Sequence, residues 1–248
     1  MFSVQNHQQK MKIIIVGATS GIGKAIAEFY AAKNHDVGIT GRRTEKLEEI
    51  RNSFPNEGIH TAFMDVANTE ESRRRLGELI EEMGGCDVLI INAGVGYPKA
   101  TYEQELRVVD INARGFMALA NYGYEYFKTQ KKGHLVGISS VAATRSSPYA
   151  PEYHATKAFM SSYLEGLRYR SAKWHKGIHV TDIRPGFVET AMTEQNKTMF
   201  WVATPQKAAR QIADAIESKK AVAYITKRYV LIATLLKMLP DWIYTKVM

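Results

Sequence analysis

The sequence predicts one doubly wound α/β domain, a parallel sheet of about seven strands with helices on both faces. Three observations lead there. Apolar runs of strand length alternate with helical patterns from Lys12 onward, the arrangement in which each strand is joined to the next by a crossover helix. A glycine-rich turn follows the first apolar run directly. The 248 residues are 45% hydrophobic, enough for a single large core.

Lys12–Val16 supplies the first strand, and the glycine turn after it opens a helix over 22–33. Further apolar runs at 36–40, 59–64, 88–91, 135–139, 180–183 and 222–225 read as strands. Helical patterns at 45–52, 70–83, 102–128, 152–175 and 205–218 fill the intervals. Right-handed crossovers between parallel strands then place ligand sites at the carboxyl ends of the strands, where the glycine turn and the motifs below fall.

Residues 1–11 are polar and glutamine-rich, lack the apolar stretch of a signal peptide, and read as a flexible extension, with Met11 as an alternative start. Residues 12–248 are expected to form the single domain, with 187–204 a substrate lid and 227–248 an apolar tail that Pro240 breaks into two short helices. No run approaches the roughly 18 apolar residues that span a bilayer.

Thirty-three basic and 25 acidic residues give a formal charge of +8. The basic clusters are short (Arg73 to Arg75, Lys131–Lys132, Lys219–Lys220) and read as solvated helix faces and loop ends, so a nucleic-acid surface is not expected. The single cysteine, Cys86, excludes an intrachain disulfide and a cysteine-pair metal site, and suits a reducing cytoplasm. It precedes an apolar strand and reads as a small buried hydrophobe.

The motif Gly17-Ala18-Thr19-Ser20-Gly21-Ile22-Gly23 predicts a phosphate cradle. Gly17 permits the sharp turn, Gly21 lets backbone approach a pyrophosphate, and Gly23 allows close packing of helix on strand. Amides at the helix start, with Thr19, Ser20 and Ile22 between the glycines, then face the ligand. At the end of the second strand an acidic residue would bind the ribose 2′-hydroxyl of NAD; this chain instead has Arg42 and Arg43. Two guanidiniums suit a 2′-phosphate, so NADP(H) is the expected cofactor and NAD(H) the other candidate. No metal is expected.

Tyr153 and Lys157 are four residues apart on a predicted helix, and Ser140 precedes Tyr153 by thirteen. On one helical face Lys157 lies against Tyr153 and favours its phenolate, making a better acid-base group of a phenol whose ordinary pKa is about 10. Ser139 competes with Ser140, and Tyr149 with Tyr153, but only Tyr153 has a lysine at its fourth neighbour. His154, one position off that face, is expected to point away from the cofactor.

With the glycine loop, Asn92-Ala93-Gly94, Asn112, Ser140 and Tyr153-x-x-x-Lys157 in order, the chain resembles the short-chain dehydrogenase/reductase family of Rossmann-type folds, over nearly everything from Lys12 to about Ser218. The resemblance implies that Tyr153 is proton donor in reduction and base in oxidation. It implies that Ser140 holds the substrate carbonyl, that Lys157 binds the nicotinamide ribose, and that Asn112 holds a water linking the lysine to solvent. It further implies that Asp65 and Val66 contact the adenine, that Asn92, Ala93 and Gly94 line the cofactor, and that Pro185, Gly186, Val188 and Thr190 wrap its nicotinamide end. A homodimer or homotetramer, joined through the helices that carry Asn112 and Tyr153, is implied as well. Val16 and Ile91 depart from the family, which often has threonine and asparagine there; both changes remove polar braces from neighbouring loops.

Tyr97, Tyr149, Phe187 and Met192, with Pro98, Met199, Phe200 and Trp201, are candidates for an apolar substrate wall. The expected activity is NADP(H)-dependent interconversion of a ketone or aldehyde and an alcohol. The alternatives are a cofactor-sensing regulatory protein without turnover, and isomerase or dehydratase chemistry on the same scaffold. The tail is read first as a packing or subunit contact and last as a membrane-surface contact, its lysines and arginine at the edge.

Overall fold

All seven strands run parallel, in the order β3-β2-β1-β4-β5-β6-β7, in a computed structural model that describes residues 10–55, 58–193 and 199–247. The strands are β1 (Lys12–Val16), β2 (Asp36–Gly41), β3 (Ile59–Phe63), β4 (Val88–Ile91), β5 (Gly133–Ile138), β6 (Ile178–Pro185) and β7 (Val222–Ile225). Nine α-helices accompany them among the described residues: α1 (Gly21–Ala31), α2 (Thr44–Ser53), α3 (Thr69–Glu82), α4 (Tyr102–Val109), α5 (Phe116–Gln130), α6 (Pro151–Trp174), α7 (Pro205–Glu217), α8 (Tyr229–Met238) and α9 (Asp241–Val247). Residues 1–9 of the extension expected over 1–11, and the middle of the expected lid at 194–198, lie outside the described residues.

The central strands are apolar on both faces because helices cover both. In β1, Ile13 and Ile15 join the core beneath α1 and α7, whereas Ile14 and Val16 join the core beneath α3, α5 and α6. All four are fully buried, each worth about 1.5–3 kcal/mol relative to an exposed side chain. This is why the strands read as continuous apolar runs instead of alternating ones.

Helix starts follow local chemistry. Asn68 caps α3 by accepting from the Glu71 amide, Thr101 and Gln104 form a reciprocal capping box on α4, and Thr204 caps α7 ahead of Pro205. The amino end of α1 differs, with no side-chain cap and no acid in its first turn.

The single helix expected over 102–128 is interrupted. Residues Asp110–Gly115 form a π-helical turn between α4 and α5. Within it Asn112 is fully buried; its Nδ2 donates to Val95 O (2.7 Å) and its Oδ1 accepts from Val95 N (2.8 Å). A β-carbon on Gly115 would come within 2.3 Å of Val66 O, so the helix presses on the β3 loop at that turn. Such extra-residue turns mark places where a helix re-aims a side chain.

The basic cluster on α3 is solvated only in part. Arg74 and Arg75 pair with Glu71 and Glu78 on the surface, but Arg73 donates to Ala118 O (2.9 Å) and Asn121 Oδ1 (3.2 Å) of α5 and ties the two helices together. Cys86 is buried, and burial pushes its thiol well above the ordinary value, as a small hydrophobe requires. No helix among the described residues is long and apolar enough to cross a membrane.

Candidate active site

Strand order reverses between β1 and β4, and a cleft opens there at the carboxyl ends of the strands. Its floor is the loop after β1. Gly17 takes φ +87° while its amide and that of Ala18 donate to Thr40 O (3.0 and 2.9 Å). Gly23 lies behind the wall: a β-carbon there would sit 2.1 Å from Gly17 O. Asn92 Nδ2 donates to that same carbonyl (2.7 Å), so Asn92 both lines the cleft and braces the turn.

Thr19, Ser20, Gly21 and Ile22 line the cleft at the uncapped start of α1, whose free amides suit an anion. Arg42 and Arg43 stand beside them at the end of β2. Arg43 Nη2 donates to Thr19 Oγ1 (2.6 Å) and Ser20 Oγ (2.9 Å), which fixes one guanidinium on the loop. Asp65 and Val66 after β3, Ala93 and Gly94 after β4, and Pro185, Gly186, Val188 and Thr190 after β6 complete the wall.

Ser140, Tyr153 and Lys157 meet at the inner end. Pro151 in the first turn of α6 sets the helix that carries the last two. Burial pushes the Tyr153 phenol above its ordinary 10.0, and a hydrogen bond from Ser140 pulls it back down. Lys157 is buried; its ammonium donates to Ile138 O (3.1 Å) and lies 5.6 Å from the centre of the Tyr153 ring. Burial lowers it from 10.5 to about 8, opposed by the charge of Asp182. Tyr153 and Lys157 share one face of α6, and Ser140 adds a hydrogen bond that favours the phenolate.

The neighbouring candidates separate cleanly. Ser139 Oγ donates to Asp182 Oδ1 and Ile183 O and accepts from Ser161 Oγ (3.2 Å), so it belongs to a buried polar cluster that ties β5, β6 and α6 together. His154 Nδ1 faces two carbonyls, Ala142 O (3.0 Å) and Arg145 O (2.7 Å), so it carries the proton and is occupied as a loop tie. Tyr149 is 59% exposed.

Of the expected substrate residues, Ser140 and Met192 line the cleft; Tyr97, Tyr149 and Phe187 do not. The Phe187 ring turns to Phe200 (5.5 Å) and Tyr229 (6.5 Å). Asn112 stands behind Gly94, where a β-carbon would be 3.3 Å from both Asn112 Oδ1 and Lys157 Nζ.

The sequence reading missed four contributors: Gly96, the Ile138 carbonyl, Asp182 and Arg145. A β-carbon on Gly96 would lie 2.9 Å from the Tyr153 ring, and the second glycine after Asn92 was the available signal. An acid inside the strand run 180–183 was the signal for Asp182, which the structure buries. Arg145 gave none: its Nη1 donates to Leu236 O (2.8 Å) and Leu239 O, its Nη2 pairs with Asp241, and its guanidinium lies 4.0 Å from the Tyr244 ring centre.

The family model described as short chain dehydrogenase matches residues 11–200. An uncharacterized oxidoreductase of Myxococcus xanthus is 32% identical over 189 residues, 74% of each chain. A short-chain dehydrogenase/reductase from Burkholderia phymatum, in complex with NAD, superposes with a TM-score of 0.83 at 18% identity, covering 91% of this chain and 92% of that one. Actinorhodin polyketide ketoreductase with NADPH gives 0.77 at 22% identity, covering 87% and 95%. At those identities the two structures share the fold with this chain.

Proposed function

The chain belongs to the short-chain dehydrogenase family, and within it we propose an NADP(H)-dependent oxidoreductase that interconverts a ketone or aldehyde and an alcohol, with Tyr153 as the acid-base group. The observation that carries this reading is the convergence of Ser140, Tyr153 and Lys157 at the inner end of the glycine-loop cleft.

The residues present fit a dinucleotide. The uncapped amino end of α1 and the tight Gly17 turn provide a cradle without side chains in the way. Thr19, Ser20, Gly21 and Ile22 would hold the pyrophosphate, Asp65 and Val66 the adenine, and Pro185, Gly186, Val188 and Thr190 the nicotinamide end. Arg42 and Arg43 would take a 2′-phosphate, which favours NADP(H) over NAD(H). When bound, the cofactor supplies or accepts the hydride.

The protein orients and protonates. Ser140 donates to the substrate oxygen and holds it beside the Tyr153 hydroxyl. Because burial raises Tyr153, the phenol is intact at neutral pH and is a proton donor, which suits the reductive direction. Below pH about 8 Lys157 is an ammonium; it stabilises the phenolate left after proton transfer and would bind the nicotinamide ribose. Asn112, held by Val95, would place the water that reconnects Lys157 with solvent.

Val188, Ala191 and Met192 on the cleft wall favour an apolar carbonyl substrate. The exposed Met117 and Phe159 on α5 and α6 suit the homodimer or homotetramer contact, to be counted by light scattering. A screen of ketones and aldehydes with NADPH and NADH tests the whole reading. Tyr153→Phe should abolish turnover of any substrate found while leaving NADPH binding intact; full activity in that variant, or a preference for NADH, removes the corresponding part.

A further inference from the structure

The outer face of the C-terminal helices is apolar and its margin is basic. On α8, Tyr229 and Ala233 are buried against the body, while Leu231 (71%), Leu235 (58%) and Met238 (76%) are exposed. Their spacing of four and three residues makes one helical stripe, and the exposed Trp242 of α9 follows it. On the buried side of α8, Tyr229 donates to Phe200 O (2.6 Å) and its ring lies 6.0 Å from that of the exposed Trp201. Monomeric surfaces seldom carry so much contiguous apolar area without an occupant.

Cations border the stripe at both ends. The Arg228 guanidinium is 5.9 Å from the Trp201 ring centre, the Lys246 ammonium is 5.6 Å from that of Trp242, and Lys227 and Lys237 are exposed beside them. Asp241, the only acid between 227 and 247, is paired with Arg145. The surface is also preformed. Arg145 holds the carbonyls of Leu236 and Leu239, and Tyr244 donates to Ser146 O (2.5 Å), so α8 and α9 are fixed to the loop after Ser140.

We propose that this face docks on an anionic lipid surface, with Leu231, Leu235, Met238 and Trp242 in the headgroup boundary and the four cations on the phosphates. The amphipathic helices would lie in the plane of the interface, tryptophan at headgroup depth, since none is able to span it. A second copy of the chain is the weaker occupant: a two-fold contact through this face would bring two sets of the same four cations together.

Flotation of the full chain with phosphatidylcholine vesicles, and with vesicles containing phosphatidylglycerol, tests the proposal. The protein should float with the anionic vesicles, about tenfold less well with the neutral ones, and lose binding as salt screens the cations. Leu235→Glu with Met238→Glu should abolish flotation without changing the thermal midpoint or NADPH binding, and Lys237→Glu with Lys246→Glu should erase the preference for anionic vesicles. Three results overturn the proposal: no flotation with anionic vesicles, flotation unaffected by Leu235→Glu with Met238→Glu, or a solution dimer that those substitutions split while vesicle binding is absent.

Discussion

Replacing Lys157 by methionine should stabilise the fold at neutral pH while removing activity. Lys157 is buried and its ammonium is lowered from 10.5 to about 8, mainly by desolvation. At about 1.4 kcal/mol per unit, that shift costs the folded state about 3 kcal/mol wherever the group is protonated both folded and unfolded, below about pH 8. Between about pH 8 and 10.5 the unfolded chain holds the proton that the folded chain has released, so stability rises with pH across that window. Above it the penalty is gone. Methionine fills a similar volume and carries no charge, but it leaves Ile138 O without its donor, at a cost of about 1 kcal/mol.

The balance is a gain of about 2 kcal/mol near neutral pH, or about 6 °C in midpoint for a chain of this size. The measurement is thermal unfolding of cofactor-free parent and variant, followed by circular dichroism near pH 7 and near pH 10.5. Other titrating groups are common to both proteins and cancel in the difference. The variant's advantage should shrink as pH rises and vanish or reverse at the upper end, where only the lost hydrogen bond remains. A variant less stable than the parent at neutral pH, or an advantage independent of pH, would refute the assignment of Lys157 as a desolvated ammonium.

Four further outcomes are expected. Gly23→Ala forces a β-carbon against Gly17 O and should cost about 1–3 kcal/mol of stability in urea titrations together with NADPH affinity; an unchanged NADPH affinity would show that the close packing does not shape the cradle. Ser140→Ala should lower kcat by about 10²-fold with little change in stability, whereas Ser139→Ala should cost about 1–3 kcal/mol by stranding Asp182 and Ser161; the opposite pattern would exchange their roles. Arg42→Ala with Arg43→Ala should reduce the ratio of kcat/KM for NADPH over NADH by about tenfold or more, and an unaltered ratio would mean that the 2′-phosphate is not read there. Arg145→Ala should destabilise by about 2 kcal/mol and raise hydrogen exchange across 229–247 ahead of the rest of the chain; uniform exchange would show that the tail is held by packing alone.

The centre of the sheet was legible in the sequence because helices cover both of its faces, so β1 and β4 carry unbroken aliphatic runs that end at motifs. The π turn was not legible because its causes are remote in the chain. Asn112 is held by Val95, seventeen residues away, and Gly115 is needed only because Val66 O presses on it; neither leaves a local mark beyond one glycine in a helical pattern. Phe187 was misplaced for the same reason. Its position after Gly186 suggested a cleft wall, but Tyr229, brought in from 42 residues away, accepts its amide and turns the loop so that the ring faces the tail. Arg73 looked like its solvated neighbours because a contact with α5 has no periodic signature.

The Tyr153-x-x-x-Lys157 spacing places the two groups, and residues beyond the helix also tune their acidity. Burial acts on both in the direction of neutrality, raising the phenol and lowering the ammonium. The opposing forces come from outside α6: Ser140 at the end of β5 lowers the phenol, and Asp182 on β6 sustains the ammonium. Ser139 joins these two influences, since it precedes Ser140 in the chain and donates to Asp182. A substitution at Asp182 should therefore reach the Lys157 ammonium through lost charge and the Tyr153 phenol through a displaced Ser140, although it touches neither ring nor amine. The pair on the helix is the legible half of the device, and the strand ends that tune it are the half that only the fold assembles.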